Sequence, residues 1–388
     1  MRRRQFLETL AAAPFAASLP ARAQPAKPAR LLVLAYLHGG NDNFNTWIPF
    51  ADSLYRELRP TIAVPRDAVL KVTDRQGFHP ALAPLMRFWD RGELAIVQGI
   101  GIPGITQQHY RDSEMVFTGA SPDEYPTAGW AMKALTRLSP PVGALADAVA
   151  FDLLDIRESD PMGPFRGGTR PVIQLHHADE WVAKRRVADC VHDANAAALP
   201  LIASLPALPA APALRTVFPK DQFGRAIRAA VDLAATDRGV RAIHVTLNGE
   251  DGDRHHSVDN HWEQNKYHPD ALARLAAGLA ALREGLVEIG RWDETLVVTY
   301  DEFGRSPVEN DKAGTHHGNA SVHFAMGGRV KGGLVGEAPR LVRVHQIGGP
   351  EPVIDTRRLW TTIASRWWGA DASDLFTDRH APLDILRA

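Results

Sequence analysis

Short apolar runs of strand length recur along the chain with longer amphipathic stretches between them. RLLVLAYL (30–37) is followed by ALAPLMRFWDRGE and then LAIVQGI (94–100), and PVIQL (171–175), AIHVTL (242–247) and TLVVTY (295–300) continue the series. Runs that are apolar at every position predict strands buried on both faces, and helical stretches between them predict parallel pairing through crossover connections. PDALARLAAGLAALREGLVEIGRW, just before TLVVTY, has the periodicity of such a crossover helix. The expected fold class is therefore α/β, a mostly parallel central sheet with helices on both faces. ALPLIASLPALPAAPALR (198–215) alternates small apolar residues with proline, which predicts a covering loop or a hinge between short helical pieces. DEWVAKRRVADCVHDANAAAL reads as a helix-like run, GGRVKGG (327–333) as a glycine-bearing hairpin, and the pair Trp367-Trp368 as core packing of the terminal helix.

The first residues, MRRRQFLETLAAAPFAASLPARAQ, break this pattern with a basic start, a short apolar stretch and the small-residue motif Ala21-Arg22-Ala23 before Gln24. Arg3-Arg4-Gln5-Phe6-Leu7 has the twin-arginine form, which predicts residues 1–23 as a signal read by the twin-arginine export machinery. Residues 24–388 are then expected to form a single α/β domain in the periplasm or outside the cell. The apolar stretch is shorter than the ~20 residues that span a bilayer, so no membrane anchor is expected after cleavage.

Charge narrows the partners. With 44 basic and 45 acidic residues and a formal net charge of -1, the balance does not call for nucleic acid or an anionic membrane. The single cysteine, Cys190, excludes an internal disulfide and a cysteine zinc cage, and its surroundings predict a small inert residue. Any metal must be held by His, Asp and Glu.

In open α/β sheets chemistry gathers beyond the carboxyl ends of strands, and four polar clusters follow apolar runs here: HGGNDNFNT (38–46), ITQQHYRDSE (105–114), NGEDGDRHH (248–256) and DEFGRSPVENDKAGTHHG (301–318). Their side chains suit zinc, manganese, magnesium or calcium. Asp251 and His255 are four apart, and Asp253 and His255 two apart; either spacing lets two side chains face one ion from a turn. Asp301 and Glu302, adjacent at a strand end, would repel one another unless a cation or Arg305 compensated. His109 and Asp112, three apart on a predicted helix, are as consistent with a structural hydrogen bond as with a site.

Several motifs occur together and in order: the twin-arginine start, LHGGNDNFNTWIPF, HY-x-D at 109–112, GW at 129–130, TLVVTYDEFGRSPVEN, GTHHG, GGRVKGG and DTRRLWTTIASRWWG. Jointly they resemble the exported domain-of-unknown-function family 1501, whose core is similar to the alkaline phosphatase superfamily of two-metal phosphatases, sulfatases and mutases. The resemblance implies an alkaline phosphatase-like core and a metal ligand at Asp42. It also implies a ligand pair at Asp301 and Glu302, with Glu302 where the superfamily has histidine, and a late ligand at His317. Asp251 or Asp253 would pair with His255, while His256 and His261 would face solvent or support the site. For the nucleophile the resemblance offers Thr106, since Gln108 stands where the family has serine; direct attack by water and loss of covalent chemistry stay open. Arg305 would hold an anionic substrate or make a salt bridge to Glu302 or Asp301. The activity implied is metal-dependent hydrolysis of a phosphate or sulfate ester, small or polymeric; the alternative is a non-catalytic exported binding protein that keeps a structural metal.

Overall fold

The computed structural model describes residues 29–140, 144–151, 162–175, 178–204, 208, 212–248, 257–344 and 347–387. Its centre is the strand Leu31–Leu37 (β1), buried along its whole length. Leu31, Val33, Ala35 and Leu37 enter one apolar cluster, whereas Leu32, Leu34 and Tyr36 enter another. Successive strand side chains point to opposite faces, so a strand apolar at every position must lie inside a sheet covered on both sides.

The sheet partners follow in chain order: Leu94–Gly101 (β2), Ala148–Phe151 (β3), Val172–Leu175 (β4), Val191–Ala194 (β5), Ala242–Leu247 (β6) and Thr295–Tyr300 (β7). After them come Gly304–Glu309 (β8), Thr315–Gly318 (β9), Ser321–Met326 (β10), Gly333–Val335 (β11) and Ile354–Asp355 (β12). The ten-stranded sheet runs β11-β2-β10-β7-β1-β6-β3-β4-β5, with β12 also on β2. β7, β1, β6, β3 and β4 are mutually parallel. Antiparallel pairs flank them, β10 against both β7 and β2, and β5 against β4. β8 and β9 form a separate antiparallel hairpin.

Helices Ala83–Asp90 (α1), Gln222–Ala235 (α4) and Gln264–Glu288 (α5) cover one face, through Phe88, Ile227 and Leu272 among others. The other face is covered by His109–Thr118 (α2), Trp130–Thr136 (α3) and Thr356–Thr361 (α6), where Trp130 and Trp360 stack at 4.5 Å. Trp367 and Trp368 are buried in that same core. No helix among the described residues is long and apolar enough to cross a membrane.

Three local expectations need correction. The run around Cys190 is a helix only over Ala178–Lys184, after which the chain turns into the edge strand β5. GGRVKGG is not a hairpin: the strands on either side of it, β10 and β11, lie on opposite sides of β2, so the segment crosses that strand's end. α5 begins at Gln264, ahead of the apolar periodicity, because its first turns bury polar side chains. Gln264 donates to Asp42, and His268 Nε2 lies 3.1 Å from Asn41 Oδ1.

The loop leaving β1 is fixed by a buried ion pair. Asp42 caps the helical turn Asn43–Thr46 by accepting from Phe44 N at 3.1 Å. Arg59, 0% exposed, donates to Asp42 Oδ2 at 2.5 Å and Oδ1 at 3.0 Å and to the carbonyls of Ser306 and Pro307. Burial alone would raise the Asp42 pKa, but the Arg59 charge and bonds hold it below the usual value. Removing one partner of such a pair leaves a buried charge uncompensated, so Arg59→Met should cost about 3–5 kcal/mol in denaturant unfolding, part of it recovered by adding Asp42→Asn. An unchanged midpoint in Arg59→Met would show that the pair does not hold this loop.

Four buried histidines give the fold a second sensitivity. Burial lowers the pKa of His79 to about 4 and of His244, His268 and His323 to about 3. In the unfolded chain each would protonate near 6.5. Their contribution to stability is complete above that value and is lost as pH falls toward the folded-state values, at about 1.4 kcal/mol per histidine per pH unit. Unfolding midpoints should therefore drop steeply between pH 6.5 and 5; a flat profile would contradict neutral burial.

Candidate metal centre

β1, β2, β6 and β7 all leave the sheet at one edge, and the residues after them meet there. Four side chains converge: His109 at the start of α2, Asp259 and His261 from the segment between β6 and α5, and His317 from β9. One ligand atom from each lies within 4.8 Å of the others. Their side chains are 16–29% exposed, so the cluster is open to solvent.

The groups behind the cluster fix which nitrogens face it. His109 Nδ1 is 2.7 Å from Glu302 Oε1, leaving Nε2 turned toward Asp259 Oδ2 at 3.7 Å. His317 Nδ1 donates to the Gln107 carbonyl at 2.7 Å, leaving Nε2 free to face His261 Nε2 at 3.0 Å. Two imidazole nitrogens this close need either a proton between them or a cation that both lone pairs address. Three imidazoles, one carboxylate and opposite ring nitrogens tied to a carboxylate and a carbonyl are the donor set of a divalent-ion site. The chain's residues fit such an ion.

Burial and charge act on the members of the cluster in different directions. Burial would raise the Asp259 pKa, but the Arg305 guanidinium and the bonds from His261 and His317 hold it well below the carboxylate range. Burial pushes the His109 pKa down, yet the Glu302 hydrogen bond and charge leave it raised. Burial lowers the His317 pKa, which favours its neutral, electron-donating form.

The other expected residues surround the cluster without joining it. Glu302 spends one oxygen on Tyr36 Oη at 3.0 Å and the other on Gly39 N and His109. Asp301 accepts from Asn41 N and Ser321 Oγ, and burial, reinforced by the Glu302 charge, raises its pKa well above the usual value. Asp42 is engaged by Arg59 and Gln264. Arg305 is not a solvent-facing anion clamp: buried, it donates to the carbonyls of Gly39, Gly40 and Thr315, and its ion pair is with Asp259, not with Glu302 or Asp301. Thr106 is exposed, and its hydroxyl donates to Asp112 Oδ1 at 2.8 Å. Asp251, Asp253, His255 and His256 lie outside the described residues.

Asp259 escaped the sequence reading, and His261 was expected only to face solvent or support the site. The signal was present: Asp259-Asn260-His261 repeats the aspartate, any residue, histidine pattern of Asp253-Arg254-His255 six residues earlier.

A family model described as "Protein of unknown function (DUF1501)" matches residues 209–373, a segment that carries Asp259, His261 and His317. No curated protein matches the sequence. Solved structures to which the chain is similar include the lipoteichoic acid synthase LtaP from Listeria monocytogenes, at 11% identity and TM-score 0.40, covering 89% of this chain and 74% of that one. The C-terminal periplasmic domain of EcEptC from Escherichia coli has 12% identity and TM-score 0.43, covering 92% and 89%. The PsFucS1 sulfatase from Pseudoalteromonas sp. has 9% identity and TM-score 0.41, covering 88% and 68%. Likenesses this distant say nothing of the activity of this chain. Over residues 209–373 the chain is thus similar to the DUF1501 family of proteins of unknown function.

Proposed function

We propose that the protein is an exported metal-dependent hydrolase of phosphate or sulfate esters, with its ion held by His109, Asp259, His261 and His317. The observation that supports this reading is the convergence of their four ligand atoms within 4.8 Å at a solvent-open sheet edge. In this reading residues 1–23 are the twin-arginine export signal. An imidazole-rich set favours zinc over magnesium or calcium, which prefer oxygen. A divalent ion there would supply positive charge to the oxygen on which charge develops as the ester is attacked.

The remaining work falls to the chain's own groups. Glu302 and the Gln107 carbonyl set the tautomers of His109 and His317, and Arg305 restrains Asp259. Gln107 holds φ at 62°, strained for a residue with a side chain, and this turn delivers its carbonyl to His317, one residue after Thr106. Thr106 Oγ1 at 2.8 Å from Asp112 Oδ1 is a hydroxyl beside a base. Asp112 Oδ2 is buried without a hydrogen-bond partner among the described residues, and burial raises the Asp112 pKa above the usual carboxylate value. In this reading Thr106 Oγ1 would attack the ester's phosphorus or sulfur and pass its proton to Asp112 while the bond to the leaving oxygen breaks and that oxygen is protonated from Asp112 or solvent; water would then cleave the Thr106 ester, releasing the acid and restoring the hydroxyl.

A non-catalytic binding protein is the second reading, favoured by Gln108 in the place of the family's serine and by the engagement of Asp42 with Arg59.

Elemental analysis of the purified protein should find roughly one zinc per chain, lost in His317→Ala and Asp259→Asn together with turnover of aryl phosphate or sulfate esters. Asp112→Asn should keep the metal and lose about 10²–10⁴-fold in kcat. Stoichiometric metal with no turnover of any ester would leave the binding reading in place, and turnover unaffected by Asp112→Asn and Thr106→Ala would put water in the role of nucleophile.

A further inference from the structure

A second site lies at the opposite edge of the sheet. Arg30, Arg329, Lys331, Arg366 and Arg387 line one cleft of about 650 Å³, with Asp384 as its single acidic residue. Arg30 immediately precedes β1 and Gly39 follows it, so the cleft and the metal centre are separated by a seven-residue strand, about 20 Å. The charges are only partly answered from within. Lys331 pairs with Asp384, and Arg329 reaches Glu294 Oε1 at 3.2 Å. Arg30 donates only to main chain, to the carbonyls of Trp367 at 2.7 Å and Arg366 at 3.1 Å, with its guanidinium 5.3 Å from the Trp367 ring. Arg387 donates to the Gly92 carbonyl at 2.9 Å. The exposed Arg366 side chain has no partner among the described residues.

Three guanidiniums without a carboxylate partner among the described residues, gathered in one concavity of a chain whose net charge is -1, repel one another unless an anion joins them. Arginine's planar fork matches phosphoryl oxygens in pairs. The cavity is of the size that encloses small ligands. We infer that this cleft binds a ligand carrying a diphosphate or two phosphoryl groups. A membrane surface fits less well, because the basic residues line a hollow and the adjoining Trp367 is only 1% exposed, so no aromatic side chain projects for insertion.

The inference stands apart from the ester-hydrolase reading and is tested without turnover. Isothermal titration of the whole, chelator-treated protein with inorganic pyrophosphate should show saturable binding, tighter than that of orthophosphate. Arg366→Gln and Arg387→Gln should each weaken it about tenfold or more, the loss expected for a hydrogen bond to a charged group, and Arg366→Lys should restore part. Both residues are exposed, so the variants should keep the native circular dichroism. His317→Ala should bind as the unmodified protein does. The inference is overturned by absence of binding, by equal binding in both glutamine variants, or by loss confined to His317→Ala. Sedimentation with phosphatidylglycerol vesicles in the absence of pyrophosphate binding would overturn it in favour of a membrane surface.

Discussion

A buried guanidinium organises the functional edge of this protein. Arg305 has 1% of its surface exposed, and such a charge is tolerated only with a counter-charge and with its donors satisfied. Asp259 supplies the charge, and the carbonyls of Gly39, Gly40 and Thr315 accept the rest. Those contacts fix three chain segments at once: the exit from β1, the hairpin of β8 and β9, and the loop that carries His261. Gly39 and Gly40 can take part because they adopt φ of 113° and 78°, and a Cβ on them would fall 2.5 Å from the Asp259 side chain and 2.4 Å from the Phe303 ring. Charge pairing, backbone shape and ring position therefore interlock.

Glu302 extends the same constraint to the other side. It accepts from Gly39 N, Tyr36 Oη and His109, so the ends of β1 and β7 and the start of α2 share one carboxylate. Phe303 stacks on His317 at 4.3 Å between its ring centroid and the imidazole. Both histidines are thus held in orientation from behind while their remaining nitrogens face solvent, as a site needs if a substrate is to reach what they hold.

Much of the fold was legible because its central strands are apolar at every position. RLLVLAYL, LAIVQGI, AIHVTL and TLVVTY stand within a residue of the observed strands, since two-sided burial leaves an unbroken hydrophobic run. β5 was missed: VHDA is a half-exposed edge strand without that signature. The start of α5 was missed for a related reason, because hydrophobic periodicity does not register polar side chains buried on polar partners. The candidate site was legible in part. His109 and His317 were named and converge, whereas Asp42, Asp301 and Glu302 look like ligands in sequence but find arginine, hydroxyl or amide partners nearer to hand. Which carboxylate meets a cation and which meets Arg59 or Arg305 depends on distant pairings that no local spacing encodes.

The two polar features of the molecule occupy opposite ends of β1, an imidazole-rich cluster at the carboxyl end and a basic cleft at the amino end. The central claim is that the first of these holds a divalent ion with the four named residues. X-ray absorption at the zinc edge on the purified protein addresses it directly. The account predicts nitrogen and oxygen neighbours at about 2.0–2.1 Å with the outer-ring scattering of three imidazoles, reduced in His317→Ala. A shell of water oxygens alone, or a spectrum that His317→Ala leaves unchanged, would contradict it.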